Sequence, residues 1–105
     1  MIDAPHPTPP ARVQVSAQEF RFTMSRTTIK TGGAIVELVN FGEDPHDLRL
    51  QRVGGTKVYA TPVVAPGETY DLVFRTMAVG KYRLWCGVAN HAALGMRGTL
   101  VVTKR

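Results

Sequence analysis

Cys86, His91 and Met96 follow one another at equal intervals, a Cys-x4-His-x4-Met spacing, and Cys86 is the only cysteine in the chain. A second histidine, His46, stands upstream in the run Asn40-Phe41-Gly42-Glu43-Asp44-Pro45-His46-Asp47. Together these side chains offer one thiolate, two imidazoles and one thioether. Soft sulfur donors suit Cu(I) and imidazole nitrogens suit Cu(II). The set therefore matches a mononuclear blue-copper site, with a trigonal His2Cys plane and a long axial Met, built for electron transfer.

Singly, each residue has a plainer explanation. Free cysteine is commonly buried as a small hydrophobe, methionine fills gaps, and a lone histidine can be a satisfied core residue. The combination is what carries weight. Other chemistries remain open on the same residues. A Cys-His hydrolase would use Cys86 as nucleophile, His91 or His46 as base, and Asp47 or Asp44 to orient it, leaving Met96 idle. Structural zinc matches a thioether poorly. A binuclear copper centre needs a second bridging cysteine, which the chain lacks. The strongest rival is copper storage or delivery with the same four donors.

To bring these donors together the loop must curl: its ten steps from Cys86 to Met96 would span about 33–36 Å if extended. Gly87 and Gly95 lie at its two ends. The flanking pattern is β throughout. Val13 and Val15, Phe20 and Phe22, Val36 with Leu38 and Asn40, and Leu100 and Val102 each recur at period two. So do His46 with Leu48 and Leu50, Tyr70 with Leu72 and Phe74, and Tyr82 with Leu84 and Cys86. That is the pattern of half-buried strands, and it sets Glu37, Asp47, Arg49, Arg83 and Trp85 on outer faces. Thr31-Gly32-Gly33, Gly54-Gly55, Ala65-Pro66-Gly67 and Gly80 supply the turns. No stretch shows a helical stripe, and Asn90–Met96 is short. The expected fold is an all-β Greek-key sandwich or barrel of about seven to eight strands, with His46 and Cys86 at strand ends on one pole.

A chain of 105 residues, 44% hydrophobic and 20% charged, is a single globular domain, and no apolar run is long enough for a membrane span. Residues 1–11 hold four of the seven prolines and read as a Pro-rich tail or linker, with His6 a solvated member of it. The domain proper is residues 12–105. The net charge is +5. Arg12, Arg21, Lys30, Arg49, Arg52, Lys57, Arg75, Arg83 and Arg97 form no run and no aromatic platform, which argues against a nucleic-acid partner and leaves a solvated basic surface or steering toward an acidic one.

Over residues 12–105 the sequence resembles the cupredoxins, the family of plastocyanins and azurins. Its Cys-x4-His-x4-Met loop is similar to rusticyanin- and auracyanin-like loops. The resemblance implies that His46, Cys86 and His91 are equatorial copper ligands and Met96 the axial one. It also implies that Asp47 departs from the asparagine common after the first ligand histidine. Asp47, Asn90 and the Gly87 amide are the candidates for hydrogen bonds around the ligands. Val88, Ala89, Ala92, Ala93 and Leu94 surround His91 with small or apolar side chains, a docking patch for a redox partner such as a cytochrome or oxidase. Trp85, beside Cys86 but facing away, marks a second docking surface. The expected protein is a monomeric, non-enzymatic electron carrier working in the periplasm or outside the cell, its signal or anchor not contained in this chain.

Overall fold

The computed structural model describes residues 8–105; residues 1–7, including His6 and most of the expected tail, lie outside the described residues. Among the described residues nine strands form: β1 (Ala11–Gln18), β2 (Arg21–Met24), β3 (Thr28–Lys30), β4 (Gly32–Asn40), β5 (Arg49–Arg52), β6 (Val58–Ala60), β7 (Thr69–Met77), β8 (Gly80–Trp85) and β9 (Arg97–Thr103). One four-residue helix, α1 (His91–Leu94), lies between β8 and β9.

The strands make two sheets, ordered β2-β1-β4-β7 and β3-β9-β8-β5-β6. Both are mixed: β1 runs parallel to β4 and β3 parallel to β9, while the remaining pairs are antiparallel. The architecture is a sandwich whose chain crosses repeatedly between sheets, and it does not close into a barrel. The strand count exceeds the expected seven to eight because β3 and β6 have three residues each. Three residues are too few to display an alternation. Both sit at sheet edges, where pairing with a neighbour defines them.

The core lies between the sheets. Val13, Val15 and Ala17 of β1 and Val36 and Leu38 of β4 meet Leu50, Tyr82, Leu84, Leu100 and Val102 of the opposing sheet. Each fully buried Val or Leu contributes about 1.5–3 kcal/mol relative to exposure, so period two selects which face turns inward. One expectation fails here. Asp47 is buried along with His46 and Leu48, because residues 46–48 precede β5 and make only a single bridge, His46 to Val64. Outside a regular ladder the alternation has no hold.

Candidate metal centre

His46 is delivered by a loop fixed from several directions. Buried Asn40, at the end of β4, donates from Nδ2 to the carbonyls of Asp44 (2.9 Å) and Val64 (3.0 Å), and its Oδ1 accepts from the Gly42 amide (2.8 Å). The backbone of His46 exchanges hydrogen bonds with Val64 at 3.1 and 2.7 Å. Cys86 follows the last residue of β8. Its amide donates to the Met96 carbonyl (3.1 Å), and the Met96 amide donates to the His91 carbonyl (3.1 Å). The loop is thus folded back on itself, its turn completed by Gly95 at φ +127°. A side chain at Gly95 would be strained there and would also press on the Phe20 carbonyl.

The two loops meet inside the protein. Nδ1 of His46 lies 3.2 Å from Nδ1 of His91, and the Cys86 sulfur lies 3.9 and 3.7 Å from those two nitrogens. All three residues are buried, and the three ligand atoms fall within 4.8 Å of one another. Met96 is also fully buried. The Phe20 ring packs against His91, centroids 4.9 Å apart. The donor set fits a metal: a thiol and two imidazole nitrogens, all on buried residues, converge within one coordination sphere's reach.

The outer nitrogen of His46 has a partner absent from the sequence reading. Nε2 lies 3.1 Å from Oε1 of Glu19, and the same oxygen accepts the amides of Glu43 (2.7 Å) and Asp44 (2.5 Å). The Asp44 amide, then those of Glu43 and the His46 ring, hold the Glu19 carboxyl below its ordinary range against the opposing pull of desolvation. An ionised carboxylate accepts, so Nε2 carries the proton and Nδ1 is left as a lone pair aimed at the other donors. Gly42 makes room for this arrangement, since a Cβ there would collide with the Glu19 carboxylate.

Burial pushes the Cys86 thiol above its ordinary value. The backbone amides of Asp47 and Val88 favour the thiolate, while the Asp47 carboxylate opposes it. Asp47 itself accepts from the Gly87 amide on Oδ1 (2.5 Å) and from Arg49 Nε on Oδ2 (3.3 Å). It therefore braces the two loops against each other. A buried thiol of this kind gives up its proton when a cation arrives beside it.

The remaining expected residues divide. The Gly87 amide serves Asp47, and the amides favouring the cysteine sulfur belong to Asp47 and Val88. Asn90 is exposed and makes no side-chain capping bond at the start of α1; its carbonyl receives the Leu94 amide. Leu94 is half exposed, Ala89 and Ala93 are exposed, Ala92 is partly so, and Val88 packs against the core. Phe41 is also exposed. Trp85 lies on the outer face, partly covered.

The Cupredoxin-like domain family matches residues 3–102. The chain belongs to the cupredoxins, and its buried His46–Cys86–His91 cluster makes the centre a site for one copper ion. Solved structures share the fold. Auracyanin A from Chloroflexus aurantiacus, described as a "blue" copper protein, is 19% identical over 90% of this chain and all of its own, with a TM-score of 0.72. Reduced auracyanin from Roseiflexus castenholzii is 18% identical over 89% of this chain and 97% of that one, with a TM-score of 0.71. An oxidised amicyanin variant is 22% identical over 86% and 80%, with a TM-score of 0.63. No curated protein sequence matches the chain. Among the described residues no helix is long and apolar enough to cross a membrane.

Proposed function

We infer that this protein is a one-electron carrier, with His46, Cys86 and His91 as equatorial copper ligands and Met96 as the axial one. The observation that carries the reading is the convergence of two imidazole Nδ1 atoms and one thiol within 4.8 Å in a buried pocket. Copper held there would supply a couple between Cu(I) and Cu(II). The protein's part is to keep the donors in one place for both states. Glu19 orients His46, Asp47 ties the cysteine loop to the histidine loop, and the sandwich beneath both resists movement. Little reorganisation accompanies gain or loss of an electron under such constraint.

The same reading gives the chain no substrate turnover of its own and takes residues 12–105 as the copper domain, with 1–11 as a tail. It places the monomer in the periplasm or outside the cell, as its family membership suggests. Its partner is another redox protein, such as a cytochrome or oxidase, docking on the apolar surface around His91 that includes Leu94.

One equivalent of Cu(II) added to metal-free protein tests the assignment. An intense thiolate-to-copper absorption that reductant bleaches, and that Cys86→Ser abolishes, is the expected result. A colourless titration overturns it. Release of the metal to an acceptor protein without redox cycling would favour storage or delivery instead.

A further inference from the structure

Basic residues that are scattered along the sequence meet on one face of the structure. On the outer side of the five-stranded sheet, Arg49 of β5 stands directly opposite Trp85 of β8, and Trp85 directly opposite Arg97 of β9. Arg83 and Lys81 follow on β8 at two-residue intervals, and Lys30 extends the row on β3 opposite Thr103. The inward partners Leu50, Tyr82, Leu84, Leu100 and Val102 are buried, so these side chains turn outward. The other outward positions on this sheet are Thr28, Gln51, Val58, Ala60, Thr99, Val101 and Thr103, and none is acidic.

The charge distribution follows. Of 13 lysines and arginines, five lie on this face, and the remaining eight match the eight acidic residues of the whole chain. Asp47, bonded to Arg49, is the one carboxylate paired with any of these five among the described residues, so this face carries most of the chain's formal excess of +5. The outer face of the other sheet is mixed, with Glu37 opposite Asp71. Arg49 is partly satisfied by Asp47. Among the described residues, Lys81, Arg83 and Arg97 have no carboxylate within ion-pair distance.

We propose that this face, centred on Trp85 and formed by Arg49, Lys81, Arg83 and Arg97, is a docking surface for a carboxylate-rich face of a partner protein. Guanidinium groups pair bidentately with carboxylates. Tryptophan and arginine are also the side chains that dominate protein–protein hot spots. A single-stranded nucleic acid would call for successive aromatic platforms, and Trp85 stands alone. The proposal deepens the electron-carrier reading by naming the partner's chemistry and a surface separate from the Leu94 patch.

Copper-treated, reduced protein titrated at low salt with a synthetic decaglutamate peptide provides the test, read by calorimetry and by the NMR signal of the Trp85 indole N–H. Binding that shifts this signal is expected, and Arg83→Glu with Arg97→Glu should weaken it by about tenfold or more. Arg12→Glu with Arg75→Glu, an equal change of charge on the other sheet, should change affinity less than about twofold. Should the first pair fail to fold, Arg83→Gln with Arg97→Gln must still weaken binding more than Arg12→Gln with Arg75→Gln. An unmoved indole signal, or equal losses from both pairs, overturns the proposal. So does tighter binding of oligothymidylate or phosphatidylserine vesicles at matched charge. The visible spectrum of each sample is recorded in parallel before reduction. Absence of the copper band would sink the electron-carrier reading while leaving the peptide isotherm to stand or fall alone.

Discussion

The carboxylate of Glu19 and the ring of His46 are joined at 3.1 Å, although 27 residues separate them in sequence. The pairing comes from β1 and β4. These strands run parallel, with Ala17 opposite Asn40 and the Phe41 amide bonded to the Ala17 carbonyl at 2.9 Å. The chain leaving β1 and the chain leaving β4 therefore travel side by side, and Glu19 reaches the loop that presents His46.

Replacing Glu19 by Gln removes a negative charge beside a ligand and the acceptor that fixes its tautomer. Copper affinity is expected to fall about 10–100-fold, and the reduction potential to rise, because the lost charge favoured Cu(II). Gly42→Ala should reproduce much of this by displacing the carboxylate. The double variant should then change the potential by less than the two single changes added together. Protein-film voltammetry and a competitive chelator titration measure both quantities.

Asp47→Asn keeps an acceptor for the Gly87 amide but removes a charge near the thiol. The folded protein should lose less than Asp47→Ala does, and the copper potential of the Asn variant should rise. Asp47→Ala leaves the amide and Arg49 without their shared partner, and denaturant unfolding should show a loss of about 1–3 kcal/mol.

On the axial role proposed for Met96, Met96→Leu preserves buried volume while withdrawing a weak thioether donor. The blue absorption should persist and the potential should rise, since an apolar axial position no longer stabilises Cu(II). Loss of all colour would mean Met96 is needed to assemble the site.

Leu94, 51% exposed on α1, lies near the buried ligand pocket. Leu94→Glu should slow electron exchange with the partner while leaving the spectrum and the potential unchanged. Stopped-flow rates equal to those of the unaltered protein would remove this patch from the docking reading.

Far from the pole, the Tyr82 hydroxyl donates to the Ala78 carbonyl at 2.8 Å. Tyr82→Phe should cost about 1 kcal/mol at neutral pH. Burial raises the phenol above its ordinary value of 10.0, a shift to which nearby Tyr59 adds. The neutral form is thus favoured in the folded state. Stability supported by this group is complete below pH 10.0 and is lost as the pH climbs from there through the raised folded value. Unfolding curves across that range should converge between Tyr82→Phe and the unaltered protein.

What the sequence revealed followed from locality. Cys86, His91 and Met96 share one short loop, so their spacing is visible without a fold, and long strands such as β1, β4 and β8 advertise themselves by alternation. Glu19 carried no such mark. Its role depends on which strand pairs with which, and only the parallel β1–β4 register brings it to His46. Alternation with His46 and Leu48 suggests a solvent-facing Asp47, but Gly87 and Arg49 bond to its carboxylate and the residue is buried, contacts that form beyond the end of the ladder. Asn90 precedes His91 in sequence, yet its side chain is exposed and makes no capping bond to α1. The basic face was invisible for a related reason: Arg49, Arg83 and Arg97 are neighbours across strands.

β8 carries two messages in alternate letters. Tyr82, Leu84 and, just beyond it, Cys86 turn inward, while Lys81, Arg83 and Trp85 turn outward. Deleting one residue from its middle would invert that assignment for everything on one side of the gap. Either the thiol would swing into solvent or arginine and lysine would be driven between the sheets. Length changes in this segment are therefore forbidden twice over, whereas substitutions confined to its outer letters leave the metal pocket intact.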